Sequence, residues 1–183
     1  YSPQIWNKMA KLGWLSPGIS DEQDGNSGDM VVTCILCEEM GRVLLPVPYI
    51  STVVLGGGSV ISGGNEANRS EILGSIETGN CIMASALIEN ECFEGLTSQK
   101  CEARKRDNGY VLNGIKTFVE GAHVANFILL VARTEGGLTA FLLNPESPGI
   151  TIKPLQTMGG EKFFTVSMDN VRVESDLMLG EVD

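Results

Sequence analysis

Four sets of residues in this chain have types and spacings that could do chemistry. Cys34 and Cys37 form a CxxC pair, a spacing used by zinc sites and redox centres. A zinc site needs a second ligand pair, and the chain offers a single histidine and no other CxxC. A redox pair normally follows a strand and opens a helix, whereas these cysteines fall inside an apolar helical stretch. Two small buried residues one helical turn apart are therefore expected. His123 would have to carry any Ser–His–Asp or Cys–His mechanism, but it follows Gly121-Ala122 between two strand-like stretches and no GxSxG elbow exists. It reads as a loop histidine. Gly56-Gly57-Gly58 and Gly63-Gly64 match neither a dinucleotide fingerprint nor a P-loop, and read as helix breaks or close helix packing. Lys100, Arg104, Lys105 and Arg106 form a basic run, which reads as a solvated strand face or as a contact for an anionic group such as a nucleotide phosphate.

The elements that must position these residues change character midway. Ser2 caps and Pro3 opens a first helix whose apolar stripe is Ile5, Trp6, Met9 and Leu12, ended by Gly13. Ser16 to Gly28 reads as a loop. Asp29 caps a second helix with a broad apolar face of Val32, Ile35, Leu36, Met40, Val43 and Leu44, closed by Pro46 and Pro48. A third helix covers 49–61, interrupted by the three glycines. Asn65 caps a fourth, with Arg69, Ile72, Leu73 and Ile76 spaced for one face and Gly79 beyond its end. From Cys81 onward the period is that of strands: 81–88, 101–106, 110–112, 115–119, 127–133, 138–143, 150–153 and 163–173. Asp107-Asn108-Gly109 is a hairpin signal, because Asn and Gly tolerate positive φ. Many short strands without helical crossovers predict an antiparallel sheet curled into a barrel or sandwich. The expected fold class is α+β, with an α-helical domain over 1–79 and a β-barrel domain over 80–183.

Composition narrows the function classes. The chain has 183 residues, 43% of them hydrophobic and 20% charged, and 13 basic against 23 acidic residues give a net charge of −10. Such a chain can bury roughly 70% of its unfolded surface, enough for a core without staples. The acidic balance argues against nucleic acid or an anionic membrane as partner. No window approaches the roughly 20 apolar residues of a membrane span. The opening Tyr1-Ser2-Pro3-Gln4 has no signal-peptide pattern, and the absent initiator Met points to trimming upstream. Five cysteines without scaffold-like spacing suit reduced thiols, so a cytoplasmic setting is expected.

Several stretches then carry a resemblance: Trp6-Asn7-Lys8-Met9-Ala10-Lys11-Leu12-Gly13-Trp14, Glu38-Glu39-Met40-Gly41-Arg42, Ala86-Leu87-Ile88-Glu89, and Val171-Arg172-Val173 through Leu179-Gly180-Glu181. The most specific is Asn113-Gly114-Ile115-Lys116, within Gly109 to Val119, followed by Ala125-Asn126-Phe127 to Thr134. In order and over essentially the whole chain, they resemble the N-terminal helical and middle β-barrel domains of the acyl-CoA dehydrogenase family. The resemblance implies FAD lying against the barrel, an acyl-CoA substrate, and α-proton removal by a carboxylate while the β-hydride passes to the flavin N5. It further implies an electron-transfer flavoprotein as acceptor and a homo-oligomeric parent. Leu87, Ile88, Phe118 and Glu120 are the positions it sets against the flavin. Two words depart from the family pattern: Ile88 stands for its usual Thr and Glu120 for its usual hydroxyl residue, and the Gly-Ser word is unrecognisable in Asn90 to Gly95. The family's C-terminal helical bundle, the usual source of the base, is not represented, so no catalytic residue is assigned and the chain alone is expected to be inactive. The alternative reading is a non-catalytic partner subunit of the same fold with weak or no FAD binding.

Overall fold

The structure is a computed structural model that describes residues 1–17, 30–89, 98–158 and 162–180. The chain divides into two compact units, Tyr1–Ile82 and Met83–Asp183. No helix among the described residues is long and apolar enough to cross a membrane.

The first unit is helical. In α1 (Pro3–Lys11) the Ser2 hydroxyl accepts the Ile5 N–H at 3.4 Å, proline takes the first turn, and Gly13 follows the end at φ +72°. Only Trp6 and Met9 of the expected stripe are buried; Ile5 and Leu12 are exposed, so the covered face is narrower than the spacing suggests. The Trp6 indole N–H donates to the Gly79 carbonyl at 3.1 Å, tying α1 to the far end of the unit. Helix α2 (Met30–Arg42) departs further from expectation: Thr33 and Met40 are buried, while Val32, Ile35, Val43 and Leu44 are exposed. An apolar face is buried only where another element lies against it, which periodicity alone does not reveal. The expected cap Asp29 and most of the 16–28 loop lie outside the described residues.

The three glycines do not break their helix. A π-helical stretch, Ile50–Gly57, runs directly into α3 (Gly58–Gly63), with Gly57 and Gly58 at ordinary helical angles. After Gly64, Asn65 caps α4 (Glu66–Asn68) by accepting the Asn68 N–H at 2.8 Å. A π-helical turn, Arg69–Leu73, leads into α5 (Gly74–Glu77), and Ile72, Leu73 and Ile76 are buried as their spacing predicts.

The second unit is one eight-stranded sheet: β1 (Met83–Ala86), β2 (Glu102–Arg106), β3 (Gly109–Glu120), β4 (Phe127–Arg133), β5 (Leu138–Leu143), β6 (Ile150–Pro154), β7 (Phe163–Glu174) and β8 (Met178–Leu179). The order is β6-β7-β3-β2-β4-β5-β8, with β1 added alongside β4. The expected α+β class, helices followed by a sheet, holds, and two details differ from a closed antiparallel barrel. The β1–β4 and β2–β4 pairings are parallel, and the ladder is open, with no pairing between its end strands β6 and β8 among the described residues. The core lies on the face carrying Tyr110, Leu112, Ile128, Leu130, Phe141, Val166 and Val171, where Tyr110 meets Phe141 edge-on at 5.1 Å. Asp107 and Asn108 make the two-residue hairpin turn, Arg106 facing Gly109 and Asp107 at φ +49°.

Residues 110–112 and 115–119, expected as separate strands, are one strand bent twice, with register shifts between Leu112 and Gly114 and between Lys116 and Val119. The first bend needs glycine. Gly114 has φ +146°, and a Cβ there would lie 2.9 Å from the Cys101 Cα. Strain at positive φ and overpacking each cost about 1–3 kcal/mol. Gly114→Ala is therefore expected to lower the unfolding free energy by about 2–4 kcal/mol, read from the urea midpoint.

Candidate functional site

Strand alternation turns Tyr110, Leu112 and Lys116 to the core side of β3, so a lysine is 0% exposed inside a hydrophobic sheet. A buried ammonium persists only when paired and hydrogen-bonded. The Lys116 Nζ donates to Glu89 Oε1 at 2.8 Å and also to Gln99 Oε1. Glu89 is itself buried and accepts the backbone N–H groups of Lys100 at 2.8 Å and Cys101 at 3.1 Å. Gln99 closes the network by donating to the Leu87 carbonyl at 2.8 Å. Burial alone would raise the Glu89 carboxyl, but the Lys116 ammonium and the two N–H donors outweigh it and hold it below the usual carboxylate range. The network therefore pins residues 87–89 and 99–101 onto β3 from both sides of the 90–97 segment.

That anchoring fixes the edge carrying the residues named from sequence. The Thr117 N–H donates to the Ile88 carbonyl at 2.9 Å, a single bridge that sets Ile88 beside the second bend of β3. At this bend Phe118 adopts φ +52°, rare for a bulky aromatic, and the residue is 52% exposed. Phe163, opposite Glu120 on β7, meets Phe118 edge-on at 6.2 Å. Ile88 and Ile115 are also about half exposed. Leu87 is partly buried and held through its carbonyl, while Glu120 ends β3 as an exposed carboxylate. The structure thus brings Leu87, Ile88 and Phe118 together around the Ile88–Thr117 bridge and places Glu120 two residues further along the same strand. The altered word at Asn90 to Gly95 lies outside the described residues.

The network was missed from sequence, although a signal existed. Continuing the period-2 alternation from Tyr110 through Leu112 places Lys116 inward, and an inward lysine demands a carboxylate partner.

The other chemical candidates separate from this edge. His123 sits in a 3-10 turn (Ala122–Val124) and stacks on Phe164 at 4.6 Å; desolvation there, with Lys162 nearby, lowers its pKa. Cys34 is exposed and Cys37 half-buried, which corrects the expectation of two buried residues: only Cys37 shares the helix face of the buried Thr33 and Met40. Burial pushes the Cys81 and Cys101 thiols up to about 11, so both stay protonated and unreactive at neutral pH. No group of His, Cys, Asp and Glu able to hold a metal occurs among the described residues.

Comparison with known proteins gives one consistent picture. The acyl-CoA dehydrogenase N-terminal domain profile matches residues 1–80, and the middle domain profile matches residues 92–171. The acyl-CoA dehydrogenase FadE12 of Mycobacterium tuberculosis is 25% identical over the whole chain, which covers 50% of that protein. The caffeyl-CoA reductase-Etf complex subunit CarC of Acetobacterium woodii is 30% identical over the whole chain, covering 51% of that subunit. The crystal structure of the ChsE4-ChsE5 complex from Mycobacterium tuberculosis superposes with a TM-score of 0.88 at 26% identity, over 100% of this chain and 49% of that one. The chain spans about half the length of the curated relatives it matches.

Proposed function

Because the chain belongs to the acyl-CoA dehydrogenase family, across that family's N-terminal and middle domains, we propose that it forms the flavin-side part of an enzyme that oxidises an acyl-CoA thioester at its α,β carbon–carbon bond. One observation carries the reading: Phe118, an aromatic held at positive φ and half exposed beside Ile88. Backbone strain of this kind persists only where surrounding structure over-determines it, and it clusters at ligand clamps. Two half-exposed apolar side chains on a strand edge anchored by a buried ion pair fit one face of a flat, largely apolar ring. Such residues would hold the isoalloxazine of FAD, which when bound supplies the hydride acceptor.

The chain's own contribution is positional. Lys116, Glu89 and Gln99 fix the backbone at Ile88 and Thr117, while Ile88 and Phe118 supply the apolar contact and exclude water from it. Glu89 is the carboxylate nearest in sequence to Ile88, but Lys116 and two backbone N–H groups already engage it, so α-proton removal is assigned to no residue of this chain. The electron acceptor of the whole protein is proposed to be an electron-transfer flavoprotein and its assembly a homo-oligomer; both rest on the family alone.

A second reading is favoured by Glu120 and Ile88. A carboxylate on the strand that would face the flavin opposes an anionic reduced ring, and Ile88 offers its pyrimidine no side-chain hydrogen bond. On this reading the chain belongs to a partner subunit that completes another chain's site. Titration with FAD, followed by quenching of flavin fluorescence, separates the two. Saturable binding that Phe118→Ala weakens about tenfold, equivalent to roughly 1.4 kcal/mol, is expected for the flavin-side reading. Absence of saturation would leave the partner-subunit reading standing.

A further inference from the structure

Away from the Ile88–Phe118 edge, the solvent face of β2, β3 and β7 gathers charge that the sequence disperses. Arg104 lies opposite Val111 on β2–β3, and Val111 lies opposite Arg172 on β3–β7. Adjacent strands are about 4.8 Å apart, so these two arginines flank Val111 at about 10 Å, a span that two long side chains can close over one group. Arg106 sits one alternation further along β2, opposite Gly109, which has no side chain to fill the space between. Arg104, Arg106 and Arg172 line one open cleft of about 290 Å³, together with Val111. Arg104 is partnered by Glu102 at 2.8 Å, whereas Arg106 and Arg172 form no ion pair with a carboxylate among the described residues. Asp107 is the one acidic residue among those that line the cleft, and Glu102 adjoins it through Arg104.

Asn113 also lines the cleft, and its orientation is fixed. Its Oδ1 accepts the Asn170 backbone N–H at 2.9 Å, which leaves the amide nitrogen as a donor for a ligand. Three guanidiniums against Asp107 and the Glu102 carboxylate paired with Arg104 leave the cleft with a charge of about +1, within a chain of net charge −10. At physiological ionic strength charges are screened beyond about 8 Å, so the local surplus decides what binds.

We propose that this cleft is a binding site for a phosphomonoester dianion, held by Arg106 and Arg172 in charge-assisted contacts with Arg104 and the Asn113 amide closing around it. Guanidinium forks match phosphate oxygens two at a time, and the second phosphate ionisation near pH 6 supplies one negative charge for each of Arg106 and Arg172. An acidic peptide is a poorer fit. It would need cations spread along a track, whereas these three serve a single compact cleft with Glu102 and Glu174 on the neighbouring positions.

Calorimetric titration of the 183-residue chain with inorganic phosphate, with adenosine 3′,5′-bisphosphate and with acetate at matched ionic strength tests the site. Saturable binding of phosphate and not of acetate is expected. Tighter binding of the bisphosphate would identify a nucleotide as the source of the phosphate, and equal affinity a free phosphate group. Arg106→Gln and Arg172→Gln should each weaken binding about tenfold, and the double variant should abolish saturation. Lys105→Gln, exposed on the same hairpin but outside the cleft, should leave it unchanged. These substitutions are on solvated positions, and unchanged far-ultraviolet dichroism would verify the fold. Equal heats for phosphate and acetate, or equal affinities for the double variant and the parent chain, would overturn the proposal.

Discussion

Lys116→Met is expected to destabilise the sheet unit by about 3–5 kcal/mol, because it strands the buried Glu89 carboxylate without its cation. The loss should appear as a lowered urea midpoint with little change in slope. Adding Glu89→Gln should return more than half of it. The amide oxygen can still accept one of the two N–H groups that bond to separate Glu89 oxygens, and no unpaired charge remains inside. A double variant no more stable than Lys116→Met would show that the lysine acts through packing alone. The pair also sets an acid limit. Glu89 is held below its unfolded pKa, so its contribution is complete above about pH 4.3 and is lost as pH falls through the lower folded value. Glu89→Gln/Lys116→Met should therefore show a shallower fall in stability below about pH 4.3 than the parent chain.

Trp6→Ala should have a comparable effect on the helical unit. The side chain is 1% exposed, and removing a buried aromatic of this size costs about 3–5 kcal/mol. It also takes the indole donor from the Gly79 carbonyl, where the chain turns at φ +75° against Ala10. Trp6→Phe separates the two contributions: it keeps most of the apolar contact and loses only the hydrogen bond, worth about 1 kcal/mol. Thermal unfolding of both variants gives the comparison. A Trp6→Phe variant as unstable as Trp6→Ala would mean that the indole hydrogen bond, and not the burial, dominates.

The two buried positions illustrate different degrees of legibility. Trp6 was readable, since helical spacing from Ser2 and Pro3 placed it on an inward stripe with Met9. Lys116 was read as part of a family word and not as a buried charge, because the partners that make it tolerable are 27 and 17 residues away. The positions Leu87, Ile88, Phe118 and Glu120, proposed against the flavin, rest on resemblance, and nothing in their local pattern announces the bend that exposes Phe118.

What the amino-acid order determined by itself is local: the caps at Ser2 and Asn65, the turn at Asp107-Asn108, and the switch from helical to strand periodicity after Gly79. Each depends on groups within a few residues, where propensity and hydrogen-bond geometry suffice. The tertiary structure alone decided which apolar faces are covered, that the sheet is open among the described residues and holds two parallel pairings, and that Arg104 and Arg172 line one cleft. Those outcomes depend on strand pairing between distant segments. In a sheet a one-residue change of register turns every side chain to the opposite face, so no local pattern can carry that information.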